Sequence, residues 1–540
     1  MFPQRSPRDE PSPRFTWIVI AVLLAPSLVW ILRDRSVWQG DTAEYGTVST
    51  DLWLNLGHSM RTWAKTMDIG LYFKPPGLVW AAQFFVPLHR VFPSLESALL
   101  LCILITQALT LLIVFRIGTR LIPGSRLAAA AGCVFAASSQ LFVAFSHLML
   151  VEPLQTLASA WAWYLAVRAP EWPKARIASH LVSVGVLGML AKVSTPVYFA
   201  VPVAYCCYYL FLKPGVWDLP GEWKVLPSRI TAIACGILLL PCMLWYYRHH
   251  TIAWEHARDS SSGWLGIYYG YEDTFLRKLV VWSHLYVQSF LDPYLLWAGL
   301  LAILIGCAWL SRRTDVRPLL MPLAPLCLLQ VAMVLVTGSM QIAVNSRFIL
   351  ALIPATAILF LRVCAILPTR ILAALALVAA IQWVHINAAA LGITPPLSDQ
   401  SEWLRPMQTD GTRRDEIARL VEVVGAKPGE APRLNLAAIN TWFNINTLDF
   451  YDARRRLLSG GVSTRYMNMG WVQPDVEAAW RRIEDGKPPY VITAEEALSA
   501  PYHIFNAAAK PALLRMRSDA RFIRVPFPSR EGLLIFRFQP

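Results

Sequence analysis

Residues 97–115 read SALLLCILITQALTLLIVF, nineteen positions without a charged side chain. A helix that crosses a bilayer needs about 20 mostly apolar residues, because each residue rises about 1.5 Å through a hydrocarbon core roughly 30 Å thick. This run meets that requirement, and comparable runs surround it. They are Phe15–Leu32, Leu127–Phe145, Pro153–Val167, Ile177–Val193, Pro196–Leu212, Ile230–Tyr247, Pro293–Leu310, Leu319–Thr337, Phe348–Leu361 and Ile371–Ala390. About eleven spans are therefore expected, and the fold class is an α-helical polytopic membrane protein.

Composition agrees. The 540 residues are 56% hydrophobic and 16% charged, whereas soluble domains carry about 25% charged residues. The apolar runs end at Ala390, and the chain beyond it reads as an ordinary soluble sequence. Phe15–Leu32 is longer than a signal-peptide core and lacks a small-x-small cleavage site, so it reads as an uncleaved first span. All nine cysteines lie in apolar segments without metal-ligand spacing, and we read them as small buried side chains. The formal charge of +14 does not mark a nucleic-acid partner. Much of the excess sits in short loops between spans, and no basic patch is interleaved with aromatics.

Those loops set the orientation. The tail carries Arg5, Arg8 and Arg14, and later clusters are Arg116/Arg120/Arg126, Arg168/Lys174/Arg176, Lys213/Lys224/Arg229, Arg312/Arg313/Arg317 and Arg362/Arg370. If each run crosses once, every cluster falls on the side of the tail, which is the cytoplasm by the positive-inside rule. Gly77–Phe92 is short, contains Pro87 and is placed as an interfacial helix on the outer face. The opposite side then receives Arg33–Pro76, Ser146–Glu152, Ser194–Thr195, Arg248–Lys278, Gly338–Ser346 and the C-terminal region.

Polar residues on that outer side invite chemistry. The loop Arg33–Pro76 holds Asp41-Thr-Ala-Glu44-Tyr45 directly after a span, and a loop this long is usually functional. Trp53, Leu56, Met60, Trp63 and Met67 recur at helical spacing, which suits an amphipathic interfacial helix. The plain alternative is that the charges of this loop are only solvated. Glu152 precedes Pro153 at the mouth of an apolar helix; ionisable groups at such depths are functional by default, although a carboxylate also complements a helix N-terminus. Lys192 closes one span and Arg347 opens another. Snorkelling would account for either, but cations on the side that basic residues avoid also suit an anionic ligand such as a phosphate. Arg248-His249-His250 lies in the same plane; adjacent histidines diverge on a helix, so no metal is predicted.

In this order, these residues resemble the GT-C superfamily of polyprenyl-phosphate-sugar glycosyltransferases, in particular its protein O-mannosyltransferase, aminoarabinose transferase and Rgt-like families. The resemblance covers roughly residues 15–390. Its acidic first-loop motif is matched by Asp41-Thr-Ala-Glu44-Tyr45 and its basic-Pro-Pro motif by Tyr72-Phe-Lys74-Pro75-Pro76-Gly77. Its second acid is matched by Glu152-Pro153, its leucine-x-Lys helix end by Leu190-Ala-Lys192, and its Arg-aromatic-Leu…Pro span by Arg347-Phe-Ile-Leu-Ala-Leu-Ile-Pro354. The second acid is often Asp in relatives and is Glu here.

The resemblance implies transfer of a monosaccharide from a polyprenyl-phosphate donor to a lipid, glycan or protein acceptor on the outer face. Such a reaction needs a carboxylate base and cations for the leaving phosphate. Asp41 is the expected base, assisted by Glu44 or Glu152. Lys74, Lys192, Arg248 and Arg347 are the expected phosphate ligands, with Tyr45, Tyr72 and His249 as further binding residues, and no cofactor is called for. Displacement in one step would invert the anomeric carbon. The expected location is a bacterial inner membrane with a cytoplasmic N-terminus.

The expected domains are a tail over residues 1–14, a membrane domain over 15–392, and a soluble extracytoplasmic α/β domain over 397–540. Helix-like Arg413–Val424, Phe443–Leu458, Val476–Glu484 and Ile504–Met516 alternate there with strand-like Arg433–Ile439, Tyr490–Thr493, Phe522–Val525 and Leu533–Phe538. Two other functions fit a chain of this kind. A lipid-linked-sugar flippase would be expected to show internal repeats, and none is seen. A polysaccharide ligase or polymerase would use a diphosphate-linked glycan.

Overall fold

The computed structural model describes residues 12–213, 226–263, 266, 270, 272–310, 323–395, 401–425, 433–436, 442–468, 475–495, 508–530 and 532–539. Arg5, Arg8, Lys224, Arg312, Arg313 and Arg317 of the orienting clusters lie outside the described residues. The chain forms two compact units. One comprises Met1–Ile31, Asp68–Leu78 and Leu100–Pro406, the other Leu32–Met67, Val79–Leu99 and Met407–Pro540.

The helices run α1 (Pro13–Arg33), α2 (Gly40–His58), α3 (Met60–Ile69), α4 (Gly77–Ala82), α5 (Leu95–Leu121), α6 (Arg126–Ala137), α7 (Gln140–Ser146), α8 (Glu152–Arg168), α9 (Lys174–Ala191) and α10 (Thr195–Cys207). They continue with α11 (Leu226–Ser261), α12 (Phe275–Phe290), α13 (Leu295–Leu310), α14 (Leu323–Ser339), α15 (Ile353–Ile366) and α16 (Thr369–Ala390). Among the described residues six helices are long and apolar enough to cross a membrane, or seven if one bent pair is a single span, and the chain is a multi-pass membrane protein. Some of the expected spans are shorter than that measure: α8 and α14 have 17 residues each.

The expected span Leu127–Phe145 is not one helix. It breaks between α6 and α7 with a bend of 70°. The cause is local: Ser139 takes an extended backbone and its side chain accepts a hydrogen bond from Phe142 N, so it caps a new helix inside the apolar run.

In the first unit the interior is apolar around Trp163, Leu165, Cys206, Cys327, Ile358 and Leu361. Backbone groups freed inside it are met by side chains. Pro202 has no N–H to give to the carbonyl of Tyr198, and Ser159 Oγ donates to that carbonyl instead at 3.4 Å. Gln330 takes a bond from Val201 N at 3.1 Å and gives one to Val197 O at 2.8 Å, so α14 is fixed to α10.

The second unit adds α17 (Thr412–Val424), β1 (Arg433–Leu436), α18 (Ile445–Ser459), β2 (Arg465–Asn468), α19 (Val476–Gly486), β3 (Tyr490–Ala494), α20 (Ala509–Ser518), β4 (Phe522–Val525) and β5 (Leu533–Phe538). Its five-stranded sheet has the order β2-β1-β3-β5-β4, with β1 parallel to both neighbours and β5 antiparallel to both of its own. Parallel strands need crossover helices, which α18 and α19 supply. Against this sheet domain the first-loop helix α2 lies along α18.

Candidate active site

Glu152 opens α8, where Pro153 pre-sets the first turn. Its side chain is only 2% exposed, and an isolated charge there would be costly. Two cations meet it. Lys192 Nζ donates to Oε1 at 2.9 Å, and Arg347 Nε stands 3.7 Å from the same oxygen. Lys192 can reach because α9 stops at Ala191 and the backbone of Lys192 is extended, which turns its side chain off the helix.

Arg347 is fixed by its neighbours. Asn345 Oδ1 accepts from Arg347 N at 3.0 Å and starts a short 3-10 turn, Ser346–Leu352, ahead of α15. The guanidinium lies 5.2 Å from the Phe348 ring and 5.8 Å from that of Trp403, and Lys192 Nζ sits 4.4 Å over Phe348. Trp403 is held in turn, with Nε1 donating to Asn345 Oδ1 at 3.2 Å and its ring packed on Phe145. The result is two cations and a buried carboxylate backed by two aromatic rings.

Lys74 lies in the segment Asp68–Leu78 of the same unit. A Cβ at Gly77 would stand 2.6 Å from the Leu190 carbonyl oxygen, so only glycine lets this segment close on the end of α9, two residues before Lys192. At its other end Asp68 accepts from Arg248 Nη1 at 2.6 Å and pairs with His249 Nε2 at 3.1 Å. Phe73 meets His256 edge-on, and Lys74 Nζ is 5.1 Å from the Phe73 ring; Tyr72 is exposed. His249 is thus engaged with Asp68, while Arg248 remains 57% exposed.

Asp41, Glu44 and Tyr45 lie on α2 in the second unit, with both acids half-buried and Tyr45 buried. Asp41 sits in the first turn, where a carboxylate complements the helix dipole. Gly46 allows close packing: a Cβ there would be 2.7 Å from Phe450 and 2.8 Å from Trp38, and those two rings stack at 4.8 Å. Further along, Asp51 Oδ1 accepts from Arg456 Nη2 at 2.8 Å. Burial raises the Asp51 carboxyl above its ordinary range, opposed by Arg456.

Sequence reasoning missed Asp449, Asp452 and Arg456 on α18, Asp68 as the partner of Arg248, and Trp403 after the last span. Trp403 fell within the expected soluble domain, 397–540, and nothing in its spacing set it apart. Among the described residues no group of three or more His, Cys, Asp or Glu is arranged to hold a metal ion.

No family model matches the chain, and no curated protein does. Solved structures of ArnT from Cupriavidus metallidurans do. The apo form has 13% sequence identity and a TM-score of 0.57, covering 97% of each chain. The form bound to undecaprenyl phosphate has 14% identity and a TM-score of 0.56, covering 97% of this chain and 98% of that one. The chain has the GT-C fold, with a small C-terminal sheet.

Proposed function

We propose that this multi-pass protein is a glycosyltransferase that moves a sugar from a polyprenyl-phosphate donor to a lipid, glycan or protein acceptor at the outer face of a bacterial inner membrane. The observation that carries the reading is the Lys192–Glu152–Arg347 cluster, with the Lys74 segment packed by Gly77 against the end of α9. Clustered cations at a helix end suit a phosphate monoester. The bound undecaprenyl phosphate of the ArnT structure supports a lipid phosphate as the ligand.

In this reading the acceptor O–H gives its proton to the Asp41 carboxylate as its oxygen bonds to the anomeric carbon. The bond from that carbon to the phosphate oxygen breaks, its electron pair stays on the phosphate, and configuration inverts. Lys74, Lys192 and Arg347 hold the developing charge, with Arg248 at the exposed margin. Glu152 holds Lys192 and Arg347 in place, and Glu44 orients the acceptor with Asp41. Tyr45, Tyr72 and His249 complete the binding residues. The N-terminus is cytoplasmic, and the α/β sheet domain is extracytoplasmic.

The test uses the full chain in nanodiscs with synthetic undecaprenyl-phosphate sugars and envelope extracts as acceptor. Release of undecaprenyl phosphate, abolished by Asp41→Asn in a protein that still inserts, is expected. Movement of the donor across the bilayer without release, or a requirement for a diphosphate-linked glycan, overturns it.

A further inference from the structure

α7 begins at Gln140, whose side chain is buried and bonded through both of its polar atoms. Nε2 donates to the Gln288 carbonyl of α12 at 3.2 Å, and Oε1 accepts from Ser401 N at 2.8 Å. One amide thus joins segments that lie 148 and 261 residues further along the chain. Ser139, just ahead of it, donates from Oγ to the Ser289 carbonyl at 2.9 Å, so the start of α7 is fixed to the end of α12. From that anchor the Gln140 side chain holds Ser401.

Ser401 opens a tight turn. Its carbonyl accepts from Leu404 N at 2.9 Å, and its Oγ accepts from Trp403 N at 3.4 Å. Trp403 leaves this turn toward the candidate site. Its ring packs on Phe145 of α7 with centroids 5.5 Å apart, and Nε1 donates to Asn345 Oδ1 at 3.2 Å. The same oxygen accepts from Arg347 N at 3.0 Å. An amide oxygen has two lone pairs, one for each of these donors. Arg347 Nε stands 3.7 Å from Glu152, beyond hydrogen-bond length, so its place depends on the backbone that carries it.

We propose that Gln140 is a positioning residue for Arg347: its amide holds the turn 401–404, the turn holds Trp403, and Trp403 with Asn345 sets the backbone that carries the guanidinium. Gln140 itself need not touch a ligand. Without its bond to Ser401 N the turn loses its tie to the start of α7, Trp403 Nε1 leaves Asn345 Oδ1 more readily, and the 3-10 turn at Ser346–Leu352 loosens at its first residue. The consequence for binding rests on the function proposed above, in which Arg347 faces a lipid phosphate.

Two measurements on the full chain in nanodiscs test this relay: affinity for undecaprenyl phosphate, and hydrogen–deuterium exchange of the lipid-phosphate-free protein. Gln140→Met keeps the length of the side chain and removes both bonds. It should weaken binding about fivefold, the worth of one net hydrogen bond, and lower the protection of residues 345–352 by a similar factor. Ser401→Pro removes the same N–H from the side of the turn, leaves α7 untouched, and should match it. Gln140→Glu still offers an oxygen to Ser401 N and should restore both readouts. Gln107→Met is the control. Gln107 is equally buried, and its Nε2 donates to the Phe142 carbonyl of the same helix at 2.8 Å, so a bond to α7 is lost there without touching the turn. Both readouts should stay at the wild-type level. In a Trp403→Ala background Gln140→Met should not weaken binding further, because the link it acts through is gone. Equal losses for Gln107→Met and Gln140→Met, no rescue by Gln140→Glu, an additive loss in the double variant, or unchanged protection of 345–352 in Gln140→Met and Ser401→Pro overturns the proposal. A wild-type protein that binds no undecaprenyl phosphate counts against the proposed function, and the exchange comparison then decides the relay by itself.

Discussion

Lys192 Nζ and Glu152 Oε1 stand 2.9 Å apart, joining the end of α9 to the start of α8 across 40 residues of sequence. The carboxylate is almost wholly enclosed and its cationic partner is 22% exposed, so the two sides of the pair are unequal. Removing Lys192 leaves the buried carboxylate with Arg347 alone, whose Nε stands 3.7 Å from the same oxygen. Replacing Glu152 as well removes the buried carboxylate itself.

Lys192→Met should therefore destabilise the protein by about 3–5 kcal/mol, since breaking a buried pair costs more than replacing it. The double variant Lys192→Met/Glu152→Gln should recover most of that loss in thermal unfolding. It should not recover sugar transfer, because Lys192 would no longer face the phosphate. Additive destabilisation in the double variant would show that the two side chains are not coupled.

Trp403 separates into two roles. Trp403→Phe keeps a ring beside Arg347 and loses the bond to Asn345 Oδ1, for which about 1 kcal/mol is expected. Trp403→Ala also loses the aromatic face and its packing on Phe145, and should cost at least another ~1 kcal/mol. Melting with and without undecaprenyl phosphate checks the functional part: the lipid should protect the wild type and the Phe variant much more than the Ala variant.

Gly77→Ala places a methyl group against the Leu190 carbonyl and should push the Lys74 segment off α9, costing about 1–3 kcal/mol. Gly57→Ala is the control. A Cβ at Gly57, near the end of α2, meets nothing within 4 Å, so alanine there should be neutral or stabilising by ~0.5–1 kcal/mol. Transfer should fall sharply only for Gly77→Ala; equal activity in the two variants would detach the glycine from the site.

The fold was legible because its cause is local. Runs such as Ser97–Phe115 must be helices in a bilayer whatever surrounds them, since no water is there to take the backbone groups. The break at Ser139 was legible in principle, as a capping residue within an apolar run, but serine is common in spans and gives no length signal. The order of Asp41, Lys74, Glu152, Lys192 and Arg347 pointed to a class of chemistry. It could not say that Lys192 faces Glu152, that Arg248 faces Asp68, or that α18 supplies the partners of α2. Those pairings are set by which helices pack together, and neither hydropathy nor spacing encodes that choice.

The Arg456–Asp51 bond also has a bearing on how the chain is made. Its two ends are 405 residues apart, so a ribosome must finish most of the protein before the first-loop helix meets its counter-charge. Until then Asp51 lacks that counter-charge, and the face of its helix that packs on α18 stays uncovered. A chain cut short before α18 would leave them permanently uncovered, an unsatisfied acidic helix that cellular proteolysis can recognise and remove.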